Sequence, residues 1–450
     1  MKNTERRIYG MKIKDNILHY VLAFAVVLSV CLTSILWVNP TYLQNSTRNN
    51  QNTEDKRATS DDASKTRSAD IYQPTSVVYN ENGHSFRQTS SKLDLIDDIR
   101  EDLKTWDIRS ISRVKKMSTQ NYEELLKRDH MVLMGFSGDV TATQLKGLFK
   151  NSPKGFARER FNRIAIQLTA HPRIYLLNDN NYRGTRVMLK KGKFTNLRKM
   201  VASENVEQVP IDFKRMNGKY ISFYSTKVRV QQYSYLANKD NASTFVTRLL
   251  GTSNSSVNSR KEDKKTVYFD NSGQRMTVEN DTGEVSYLNY SHNTPKNFSL
   301  SDDLTDAFKH LQETGRLLDD VRYDEYNVND HQVIYRTYIN AFPILTDSNY
   351  GAYHIKLAGT GGERTDFSLY SLQIPVPAKN NSVELPPTQE AVDKLLQRGI
   401  PQQKIKSIRI GYQAEVNGSS KQVIDLIPTY FVLYNGSWVD YQDILDGKVS

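Results

Sequence analysis

The residues best equipped to bind metal or move protons are the eight histidines: His19, His84, His130, His171, His292, His310, His331 and His354. No two of them stand at the spacing of a zinc site, and the single cysteine, Cys31, supplies no second soft ligand. No metal or other cofactor is expected. Gly359-Thr360-Gly361-Gly362 resembles a phosphate loop, but no Lys-Ser/Thr helix start follows it, so it reads as an ordinary loop. No Gly-x-Ser-x-Gly elbow occurs. Asp302-Asp303 stands at the start of a predicted helix, where it complements the dipole, and Asp319-Asp320 falls in the loop after it. Nothing selects a carboxylate pair for glycoside hydrolysis. The expectation is a protein that is not an enzyme.

Charge offers a different chemistry. The formal net charge is +11, of which +8 falls after residue 43. Between Lys146 and Lys199 stand fourteen Lys and Arg against only Glu159 and Asp179. Such a stretch suits an anionic partner, such as a cell-wall polymer, and equally suits a solvated face whose cations alternate with strand hydrophobics. Lys154, Arg158, Arg160, Arg163, Arg183, Arg186, Lys190 and Lys191 are the candidate patch. No nucleic-acid motif accompanies them, and nucleic acid is not an expected partner.

One apolar run governs the geometry in which any of this operates. Ile17 to Val38 contains no Asp, Glu, Lys or Arg. Roughly 20 residues at about 1.5 Å rise span a bilayer core. The run is longer than a signal peptide's core, ends at Trp37 and Tyr42 without a small-x-small cleavage pattern, and so reads as an anchor. Lys2, Arg6, Arg7, Lys12 and Lys14 precede it and the next basic residue is Arg48. The positive-inside rule then places residues 1–16 in the cytoplasm and the bulk outside, a type II cell-membrane protein. Within the run Ala25, Ser29 and Thr33 recur every four residues, a small-residue face on which a partner helix could pack closely.

The elements beyond the anchor read as α+β. A polar linker is expected over 39–70, then an outer domain over 71–205, a middle region over 206–297 and a C-terminal region over 298–450. Helical spacing places Leu93, Ile96, Ile99 and Leu103 behind a Ser90-Ser91 start, caps a second helix with Ser118, and predicts a third from Thr141 to Phe149. Strands are expected at Met131–Phe136, across Ile164, Ile166 and Leu168, at Arg173–Asn178 and at Thr185–Leu189. A single strand is expected across Val228, Val230 and Tyr233. Beyond it, a helix followed by an antiparallel meander recurs three times: Thr244–Leu250 before 266–288, Ser301–Thr314 before three strands ending at Phe367–Ile374, and a helix around Ala391 to Leu396 before 405–441. In the last unit two strands, Val423–Ile427 and Thr429–Tyr434, flank Pro428.

Together these features resemble the YycH family. The resemblance rests on the single amino-terminal helix, on Tyr72-Gln73-Pro74-Thr75 and on Phe161-Asn162-Arg163-Ile164. It rests also on Leu426-Ile427-Pro428-Thr429-Tyr430 and Asn435-Gly436-Ser437-Trp438 near the end. It implies a non-enzymatic, membrane-anchored extracellular α+β protein that partners the related YycI protein and adjusts the autokinase activity of the WalK (YycG) sensor histidine kinase of Gram-positive bacteria.

Overall fold

The computed structural model describes residues 66–449, apart from 91–92, 115, 252–256, 292–298, 347–348, 358–361, 377–380 and 421. The expected membrane segment 17–38, the linker up to residue 65 and most of Gly359–Gly362 therefore lie outside the described residues. Among the described residues no helix is long and apolar enough to cross a membrane.

The described strands build four sheets, and every strand pair in them is antiparallel. The first sheet runs Asp107–Val114, Arg183–Lys191, Arg173–Asn178, Arg160–Gln167, Met131–Thr141, Ser76–Glu81, His84–Thr89, Glu207–Met216 and Lys219–Tyr224. The second runs Asn258–Glu262, Lys265–Phe269, Gln274–Glu279, Glu284–Asn289, Glu363–Ser368, Ala352–Lys356, Gln332–Ile339 and Val321–Asn327, with the short Phe342–Pro343 beside Gln332–Ile339. A C-terminal sheet orders Tyr370–Val376, Tyr233–Lys239, Val423–Tyr434 and Ile405–Val416, with Ser437–Asp440 against Val423–Tyr434. Val228–Gln231 and Ser382–Leu385 form a two-stranded ribbon.

The first sheet is covered on both faces. Val77, Tyr79, Val132, Met134, Ile164 and Ile166 enter one core, shared with the helix Leu95–Leu103 and with Leu304, Tyr335 and Phe367 of the second-sheet unit. Val78, Leu133, Ala165 and Leu177 alternate with them and enter a second core. That core contains the helix Thr119–Leu126 and, from the C-terminal unit, Leu395, Ile410 and Tyr430. A strand buried on both faces cannot alternate polar and apolar residues, which is why Met131-Val132-Leu133-Met134 is unbroken.

Several expectations need correction. Thr141–Phe149 is a chain of turns: the strand Met131–Thr141 runs into it, Gly147 adopts φ 86°, and the amides of Lys146 and Leu148 bond to carbonyls only three residues back. Asp94, rather than Ser90, caps Leu95–Leu103 by accepting from the Ile96 and Asp97 amides, and Ser91 lies outside the described residues. Residues 66–70 belong to the folded part, because Ser68–Ile71 is a helical turn closed by Arg67 and Asp70. Two strands replace the single one expected across Val228 to Tyr233, and Phe367–Ile374 is split at Leu369.

Among the described residues, the middle region 206–297 has no sheet of its own. Its first hairpin, turned by Asn217-Gly218 at φ 48° and 81°, completes the first sheet, and Tyr233–Lys239 joins the C-terminal sheet. Val228–Gln231 belongs to the ribbon with Ser382–Leu385, and the meander that follows the helix Ala242–Leu249 is zipped to the next one by Glu284–Asn289 pairing with Glu363–Ser368. Each meander leaves a bare edge strand, and joining the two edges satisfies both rows of backbone groups. Val423–Tyr434 is one continuous strand despite Pro428. Its second side pairs with Tyr233–Leu236 through residues 423–426 and with Ser437–Asp440 through 431–434. Pro428 occupies the gap between, where a missing N–H costs no ladder bond.

Candidate binding surface

The eight predicted patch residues do not form one surface. Arg163 is buried, with Nη2 2.7 Å from Asp179 Oδ2, and Tyr122 donates its hydroxyl to the other Asp179 oxygen at 2.5 Å. Burial opposes its charge, but Asp179 more than compensates and raises the Arg163 pKa. A guanidinium so enclosed is a structural cation rather than a docking residue. Arg160 is exposed, yet its Nε lies 2.6 Å from the buried carboxylate of Asp139, which also accepts from Asn162 and Asn180. Lys154 and Arg158 are exposed beside and within the short turn Phe156–Arg158, and Arg183 is exposed at the start of its strand.

Arg186, Lys190 and Lys191 do come together, with two residues the sequence reading missed. They line an open groove of about 760 Å³ with Arg109 and His171, over an apolar floor that includes Ile174, Val187, Leu189 and Phe194. Among the described residues no Asp or Glu lines it. The placement comes from two consecutive bulges between Asp107–Val114 and Arg183–Lys191. Asp107 pairs with Lys191 and Ile108 with Leu189, so Lys190 is the extra residue of one strand. Ser110 then pairs with Met188, so Arg109 is the extra residue of the other. Bulges re-aim the side chains they carry and increase local twist, and here both extra residues are cations. Ile108 and Ile111 face the same core only because of the bulge between them, and their odd spacing hides the edge strand from a reading by alternation. The bulges depend on register and are not visible in residue types.

A smaller cavity of about 310 Å³ lies against the helix Leu300–Glu313. His310 there bridges two carboxylates, Nδ1 2.8 Å from Glu313 and Nε2 3.3 Å from Glu363. Burial works against protonation, but the two glutamates prevail and raise His310 to about 9. It is a cation at neutral pH and holds no lone pair for a metal or for base catalysis. Among the described residues no cluster of three His, Cys, Asp or Glu is arranged to hold a metal ion. Asp303, expected to act on the helix dipole, is buried and accepts from the Tyr326 hydroxyl at 2.5 Å, with His331 Nδ1 3.0 Å away.

The motifs that carried the family resemblance are joints between elements. The Tyr72 hydroxyl donates to the Leu304 carbonyl at 2.6 Å, so the Tyr335 hydroxyl, 2.7 Å away, donates to Tyr72. Asn162 receives the Asp179 amide beside the Arg163–Asp179 pair. Tyr430 donates to the Pro386 carbonyl at 2.9 Å, fixing the start of the helix Thr388–Gln397. Trp438 donates to Glu325 at 3.1 Å and carries the Arg409 guanidinium 4.0 Å above its ring. Ala25, Ser29 and Thr33 lie outside the described residues.

Comparison with known proteins agrees with that pattern. The YycH protein N-terminal domain matches residues 15–206 and the YycH protein C-terminal domain matches residues 216–444. The chain belongs to the YycH family. The crystal structure of YycH from Bacillus subtilis is similar in fold, with a TM-score of 0.65 at 16% identity, covering 84% of this chain and 97% of that one. No curated sequence matches. Membership of the YycH family supports, in general terms, a regulatory role in the YycG/WalK two-component system and association with it. The strand Glu207–Met216, which falls almost wholly between the two matched stretches, joins the first sheet.

Proposed function

We propose that this YycH-family chain is a non-enzymatic accessory of a WalK-type sensor histidine kinase. In this reading the segment 17–38 anchors it, the amino terminus is cytoplasmic and the folded part is extracellular. A YycI-type paralogous protein is its companion. The observation that carries the reading is the match of both YycH domains along nearly the whole chain. Ala25, Ser29 and Thr33 are the proposed contact face within the bilayer, where small side chains allow close backbone approach. Packing there would favour one signalling state of the kinase by a coupling of about 1–3 kcal/mol.

The test is autophosphorylation of the kinase in liposomes containing the full-length chain, the A25L/S29L/T33L variant, or a chain with an unrelated helix replacing 17–38. A change in autokinase activity that the native helix produces and both altered helices lose is the expected result. Equal activity in all samples, with YycI-type partner present, would overturn regulation through the membrane segment.

A further inference from the structure

We propose that the bulged groove on the first sheet binds a linear polyanion in which phosphodiester groups alternate with short polyol units. This inference does not depend on the kinase reading. Arg109, Arg186, Lys190 and Lys191 are all exposed, and none forms an ion pair with a described residue. Three other cations of the same sheet behave otherwise: Arg113 is paired with Glu159 at 2.7 Å, Arg160 with Asp139 and Arg163 with Asp179. Among the described residues no Asp or Glu stands in the groove's lining. The field of these four cations is therefore uncompensated within the groove.

Shape and floor select the class of anion. One exposed cation facing one anion contributes roughly 0–1 kcal/mol, and the four cations are spread along a groove with no buried donor at its centre. A ligand gains from them chiefly by carrying several linked charges, so that each contact raises the effective concentration for the next. Between the cations lies apolar surface, with Met188 41% exposed. Alternating charge and apolar surface complements alternating phosphate and carbon. Nucleic acid fits less well: base stacking needs an open aromatic face, and Phe194 is only half-exposed and packs on Trp106 with centroids 5.5 Å apart. A recessed groove also suits a chain better than the plane of a lipid headgroup layer.

The experiment uses the full-length chain in zwitterionic nanodiscs, titrated with poly(glycerol phosphate), with monomeric glycerol phosphate, and with vesicles containing phosphatidylglycerol. R186Q/K190Q/K191Q is compared with K219Q/K261Q/K406Q, which removes three exposed lysines elsewhere. Polymer affinity is expected to fall about tenfold in the groove variant and less than about twofold in the other, with a flatter salt dependence only in the first. The charge-conserving R186K/K190R/K191R variant retains binding, which separates charge from any effect on folding. Equal weakening in both glutamine variants, binding of the monomer as tight as the polymer, or binding confined to anionic vesicles would each overturn the proposal. So would the absence of polymer binding by the unaltered chain.

Discussion

Arg409 of the C-terminal sheet clamps Asp324 of the second sheet with both terminal nitrogens, Nη1 to Oδ1 at 2.7 Å and Nη2 to Oδ2 at 2.8 Å. Asp324 has no exposed side-chain surface and also receives Arg336 Nε at 3.0 Å and the Tyr338 hydroxyl at 2.7 Å. Burial alone would neutralise the carboxylate, but Arg409, Arg336 and the Tyr338 hydrogen bond hold its pKa well below the usual range. Because Tyr338 donates to Asp324, Ser137 of the first sheet must donate to Tyr338, 2.7 Å away. Asp324 therefore joins two sheets directly and a third through the Tyr338 hydroxyl.

Breaking that clamp is expected to be costly. R409M leaves Asp324 with two partners and strips the cation from the Trp438 ring, and the expected loss is about 3 kcal/mol. Urea unfolding followed by tryptophan fluorescence measures it. A loss under about 1 kcal/mol would mean that Arg336 and Tyr338 suffice to hold the charge.

The Tyr72 joint predicts coupling rather than a simple sum. Y72F removes the donor to Leu304 and the acceptor of the Tyr335 proton, and the expected loss is about 1–3 kcal/mol. In the Y72F background, Y335F is expected to add little, since the hydroxyl of Tyr335 has already lost its acceptor. Additive losses across the double-mutant cycle would refute the pairing.

Two histidines set opposite arms of a pH profile. His310, raised to about 9 against an unfolded value near 6.5, contributes stability that is complete below about 6.5 and lost as pH rises through 9. Burial and the nearby Arg336 depress His354 to about 4, so its contribution is present above about 6.5 and lost as pH falls through 4. For these two groups the maximum lies near pH 6.5. Denaturation across pH 4–10 should show both arms, H310Q should flatten the alkaline one, and an unchanged alkaline arm would contradict the bridge to Glu313 and Glu363.

Arg163 distinguishes architecture from binding. R163M leaves Asp179 buried without its cation and is expected to cost about 3 kcal/mol while leaving polyanion affinity unchanged. The reverse pattern, a stable variant with weakened binding, would restore Arg163 to the surface patch. A melting curve and the titration described above decide between them.

Local signals were the readable part of this chain. Ser118 accepts from the Asn121 amide as a cap should, and the turns at Gly273 and Gly283 mark the meander at 265–289. The hairpin turns at Asn82-Gly83 and Asn217-Gly218 carry equally good signals. What could not be read depends on distance along the chain. Nothing near Asp324 announces an arginine 85 positions later, and nothing near Arg163 shows that Asp179 encloses it. A basic residue in a strand looks the same whether its partner is water or a buried carboxylate. Composition could therefore point to the charged region but could not sort its structural cations from its exposed ones.

Tyr72 stands six residues into the described chain, before the first strand of any sheet. Tension arriving from the amino-terminal side meets its ring before it meets a strand edge. The ring is wedged among Tyr323, Tyr335 and Phe308, with its hydroxyl tied to Leu304. A pull would therefore load the helix Leu300–Glu313 and the sheet beneath it directly, instead of peeling the first sheet one hydrogen bond at a time. Tyr72 is a mechanical cleat, and it would carry a pull on the residues before it into the core shared by the first two sheets.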